Sequence, residues 1–70
     1  MIMQAVVRNV QWNQLLVWDL NTRQQVLVNT PVAHRFRPGN VVRIRYNGVM
    51  TNSIPPQIFA IRIFSLPWFG

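Results

Sequence analysis

The sequence predicts an all-β protein, a small five-stranded barrel, and three observations carry that expectation. The first is the run from Arg37 to Ile63, which reads RPGN, VVRIRY, NGVMTNSIPPQ and IFAIRI: turn, strand, loop with paired prolines, strand. The second is composition along the chain. Valine, isoleucine and aromatics dominate, and no window keeps helical periodicity over three turns. The third is spacing, because turn residues recur about every eight to twelve positions, as in small all-β domains.

Each element has a local reason. The first strand is expected from Ile2 to Val10, long and mostly apolar, and Val10-Gln11-Trp12-Asn13 turns it. The second runs from Gln14 to Leu20. Leu16, Trp18 and Leu20 share one face and Leu15 and Val17 the other, so this strand is apolar on both sides. Asp19-Leu20-Asn21-Thr22 reads as a hairpin turn, since Asp and Asn bond their own backbone and tolerate the left-handed region. The third strand is Gln24 to Asn29, ended at Thr30-Pro31 because proline cannot donate to a ladder. Between Val32 and Phe36 there is room for one helical turn at most, with Thr30 as a cap and Pro31 in the first turn. Pro38-Gly39 suits a type II turn. The fourth strand, Val41 to Tyr46, alternates cleanly: Val42, Ile44 and Tyr46 on one face, Arg43 and Arg45 on the other. Asn47-Gly48 is a turn dipeptide. The fifth strand runs from Gln57 to Phe64, with Phe59, Ile61 and Ile63 expected inward and Ala60, Arg62 and Phe64 outward.

Five strands, with a short or absent helix between the third and fourth, follow the order of an antiparallel OB-like barrel. An SH3-like barrel is the alternative. Its single helical turn falls between the last two strands, where this chain has the loop Asn47 to Pro56. The whole of residues 1–70 reads as a single domain, with no internal repeat or linker.

The end of the chain resembles small uncharacterised bacterial OB-fold-like domain proteins. The resemblance lies in Arg43 to Ile63, through Tyr46, Gly48, Met50, Ser53, Pro55-Pro56-Gln57-Ile58, Ala60 and Ile63. It covers under half of the chain and implies a fold rather than an activity. Some members look like exported lipoproteins. This chain departs from them, having no cysteine and no basic region followed by an apolar run at Met1-Ile2-Met3-Gln4.

Charge narrows the functional classes. Seven arginines (8, 23, 35, 37, 43, 45 and 62) face one acid, Asp19, with no lysine or glutamate, for a formal charge of +6. Such an excess attracts polyanions, nucleic acid first, and it also keeps a small apolar domain dispersed. Arginine without lysine favours planar, bidentate and stacking contacts. No cysteine means no disulfide and no thiolate metal site. No stretch reaches the roughly 20 apolar residues of a membrane helix, so a cytoplasmic protein without a membrane span is expected.

Catalysis has little to work with. Besides Tyr46 only Asp19 and His34 are available as acid or base, no third group orients either, and a lone histidine makes a poor metal site. A non-catalytic binding module without cofactor is therefore expected. For single-stranded DNA or RNA the candidate contacts are Trp12, Trp18, Arg23, Arg43, Arg45 and Arg62. The charge is not concentrated on strands two and three, where OB-folds commonly bind strands. The other class is a protein-interaction or homo-oligomeric module, using Leu16, Trp18, Trp68 and Phe69 as an apolar surface.

Overall fold

A computed structural model describes residues 1–67. The strands are β1 (Ile2–Gln11), β2 (Gln14–Asp19), β3 (Gln24–Asn29), β4 (Val41–Tyr46) and β5 (Gln57–Ser65), with one 3₁₀ turn, Ala33–Arg35, between β3 and β4. They close into a barrel in the order β1-β2-β3-β5-β4, which is OB-like. The 3₁₀ turn lies before β4 and not between the last two strands, which separates the fold from the SH3-like alternative. Four seams are antiparallel and the fifth, β3 with β5, is parallel. Topology forces this: a closed ring of five strands cannot alternate direction all the way round.

β1 serves two neighbours. Ile2 to Val6 pair with β4, while Ala5 to Gln11 pair with β2. The register shifts between Val7 and Asn9, so Arg8 is the extra residue of a bulge. A bulge bends a strand and raises its twist, which lets β1 curl from one wall of the barrel to the next. It also reverses the facing: Met3, Ala5 and Val7 point inward before it and Val10 packs on the core after it.

The interior is filled by medium-sized side chains, with Leu15, Val17, Val26, Val28, Val42, Ile44 and Ile58 fully buried. Alternation puts these on the inner face of their strands, and a barrel this narrow leaves no room for a ligand inside. Ala33 and Phe36 close the end at the 3₁₀ turn, hereafter the upper end. Tyr46 is buried at the lower end, where β4 stops.

The turns follow the residues that make them. Asn13 and Arg23 take positive φ in the β1–β2 and β2–β3 connections. Asp19 is only 4% exposed, and its Oδ1 accepts the backbone N–H groups of Asn21 and Thr22. Gly39 has φ +94°, the left-handed value a type II turn needs after Pro38, and Asn40 N–H closes that turn on the Arg37 carbonyl. Thr30 Oγ1 accepts Val32 N–H, but the cap position of the 3₁₀ turn is Val32 and no side chain caps it.

The facing of β5 corrects the expected pattern. Ile58 is buried and Ala60 packs on the core, whereas Phe59 and Ile61 are 68% and 64% exposed. Arg45 pairs with Arg62 but Tyr46 pairs with Ala60, so Ile61 is a second bulge residue. Before it the even positions face inward, and after it Ile63 does. Simple alternation cannot reveal a bulge, because all the residues around this one are apolar except Arg62. Arg62 and Phe64 do face outward as expected.

Candidate polyanion-binding face

The strand register assembles an ordered surface on the outside of β1, β4 and β5. Arg45 lies between Ile2 on β1 and Arg62 on β5. Two residues along, Arg43 lies between Gln4 and Phe64. Directly paired residues share a face, so Arg43, Arg45, Arg62 and Phe64 form a square of cross-strand neighbours, all exposed. The Arg62 guanidinium carbon sits 5.9 Å from the centre of the Phe64 ring, within cation–π range.

A third row continues the face in apolar residues. Val41 pairs with Val6, Val6 pairs with Trp18 on β2, and Leu66 donates its N–H to the Val41 carbonyl. The half-buried Trp18 thus ends a row beginning at Leu66, two strand spacings, about 10 Å, from Val41. Guanidinium groups occupy one end of the face and apolar groups the other.

Nothing acidic neutralises this charge from within the strands. Asp19 is the chain's only acidic side chain, and it is buried beneath the β2–β3 turn with its carboxylate engaged by Asn21 and Thr22. Arg45 and Arg62 stand directly opposite each other, an arrangement that costs stability.

The outer face of β2 and β3 differs. It carries Gln14, Leu16 and Trp18 beside Gln25, Leu27 and Asn29, without a charge. The amides of Gln14 and Asn29 are already engaged: Gln14 Nε2 donates to Asn29 Oδ1, and Asn29 Nδ2 donates to Gln57 Oε1 and the Ile58 carbonyl. The neighbouring cleft of about 520 Å³ runs between Gln24, Gln25 and the β4–β5 loop and is uncharged.

The other candidate residues are dispersed. Trp12 is 89% exposed on the β1–β2 turn at the upper end, beside a hollow of about 330 Å³ lined also by Pro31 and His34. Arg23 is on the β2–β3 turn at the lower end. Arg35 and Arg37 belong to the 3₁₀ turn and the loop after it, at the upper end. Leu16 and Trp18 are half-buried by cross-strand neighbours, while Leu20 falls just beyond β2 in the turn. Trp68 and Phe69 lie outside the described residues.

Phe64 was the missing member of the candidate set. Its signal was present in the strand pattern, which puts it outward beside Arg62, but a phenylalanine on a basic strand face reads first as a packing residue. Among the described residues no helix is long and apolar enough to cross a membrane. Comparison of the chain with family models, with curated proteins and with solved structures gave no match in any of the three.

Proposed function

We propose that the protein is a non-catalytic binding module for single-stranded nucleic acid, acting in the cytoplasm through the outer face of β1, β4 and β5. The observation that carries the reading is the square of Arg43, Arg45, Arg62 and Phe64, three guanidiniums and a ring on one sheet surface with no acidic side chain among them. Single strands are held by a cationic track for phosphates and by aromatic faces for unstacked bases, and this surface supplies both. Arg43 and Arg45 are two residues apart on β4, about 6.8 Å, a step comparable to that between successive phosphates of an extended strand. Bases would lie toward Phe64 and the apolar row that ends at Trp18.

The test is a fluorescence-anisotropy titration with mixed single-stranded DNA and RNA oligomers at low and physiological salt. With three phosphate contacts, log K is expected to fall against log salt with a slope of about −2. Absence of binding at low salt would overturn the reading and leave the arginines as a solubility device.

A protein partner is the second reading, and Phe59 and Ile61 favour it. Both are large, apolar and mostly exposed on the outside of β5. It predicts binding that does not weaken with salt and that fails in Phe59→Ser. Self-association by this route would bring together chains of charge +6.

A further inference from the structure

We infer that the Arg45–Arg62 pair holds a phosphomonoester, so that the face takes single strands by a phosphorylated end. This rests on the nucleic-acid reading above and adds to it a class of ligand.

Arg45 and Arg62 are register partners, so their Cα atoms are about 4.5–5.5 Å apart and both side chains leave the same face. The third residue of the row is Ile2, and the next residue outward along β5 on the same face is Phe64. No carboxylate side chain is available to either guanidinium, because Asp19 is buried and engaged elsewhere.

Two guanidiniums side by side call for a ligand with two charges. An internal phosphodiester carries one negative charge and satisfies one guanidinium in the bidentate mode, leaving the other uncompensated. A phosphomonoester carries about −1.5 to −2 at pH 7 and has three acceptor oxygens, enough for both forks at once. Arg43 stands one step further along β4, where the next phosphate of the strand, a diester, needs a single guanidinium. Phe64 lies opposite Arg43 and beside Arg62, where the terminal base can stack. The arrangement is therefore graded: two cations for the end, one for the following link, a ring for the base between them.

The experiment uses the full chain and three internally labelled oligomers of one sequence, bearing a 5′-phosphate, a 3′-phosphate, or hydroxyls at both ends. One phosphorylated oligomer is expected to bind about tenfold or more tightly than the hydroxyl-ended one, the effect of one extra charge-assisted contact. The two phosphorylated arms decide which end is read. The preference should fall below about twofold in Arg45→Gln and in Arg62→Gln. Arg43→Gln should weaken every oligomer while keeping the preference. Partial unfolding scales all three affinities by one factor, so the lost preference in Arg45→Gln and Arg62→Gln reports the contact and not the fold. Equal affinity for all three oligomers would overturn the end preference and leave the nucleic-acid reading standing. A preference that survives both Arg45→Gln and Arg62→Gln would place the end elsewhere and also overturn it. No binding by any oligomer at low salt would overturn both.

Discussion

Asp19 and Gly39 show what single residues contribute. Asp19 is the chain's one acidic side chain, and its buried carboxylate accepts two N–H groups of the turn it precedes. Replacing it with alanine leaves Asn21 and Thr22 N–H without that acceptor. Asp19→Ala should cost about 2 kcal/mol in urea unfolding, and Asp19→Asn less, because the amide oxygen keeps the acceptor. Gly39 needs φ +94° and has open space where a Cβ would go, so Gly39→Ala meets backbone strain without a clash. About 1 kcal/mol is expected from the same unfolding curves. The turn chemistry at both positions was legible in the sequence, since Asp-Leu-Asn-Thr and Pro-Gly admit few alternatives. The facing of Trp18 was not, because strand β2 is apolar on both sides and only the register, with Val6 and Gln25 beside it, settles how far it is covered.

At the scale of the element, β4 and β5 carry the account. β4 was fully readable: its strict alternation of apolar and arginine fixes both bounds and face. β5 was readable in extent but not in facing, because the bulge at Ile61 changes the parity in an apolar run. The corrected register makes a direct prediction. Ile58→Ala should cost about 2–5 kcal/mol as a buried deletion, while Ile61→Ala should stay within about 0.5 kcal/mol. Equal losses at the two positions, measured by thermal or urea unfolding, would contradict the bulge. The opposed arginines predict the reverse sign. Arg45→Gln removes a like-charge pairing and should raise stability by a few tenths of a kcal/mol, more at low salt than at high. Arg62→Gln also loses the contact with Phe64, so its gain should be smaller.

Across the whole molecule, the barrel gathers three of seven scattered arginines onto one surface. Seven arginines are spread from residue 8 to residue 62, and composition cannot say which of them meet. The closed order β1-β2-β3-β5-β4 brings β5 against β4 and β4 against β1, which places Arg43, Arg45 and Arg62 together while Arg35 and Arg37 stay at the upper end. The fold class and the succession of elements along the chain were legible because periodicity and turns are local signals. The candidate face was not, because it depends on long-range register. Two charge-matched variants, Arg43→Gln with Arg45→Gln and Arg35→Gln with Arg37→Gln, compared in anisotropy titrations with single-stranded oligomers at physiological salt, separate a located face from net charge. Each removes two positive charges, so net charge alone predicts equal losses. A site on β4 and β5 requires the first pair to lose about tenfold or more in affinity, with a salt slope shallower by about 1.4, while the second loses no more than about threefold. Equal losses, or a larger loss in the second pair, would contradict a site on β4 and β5.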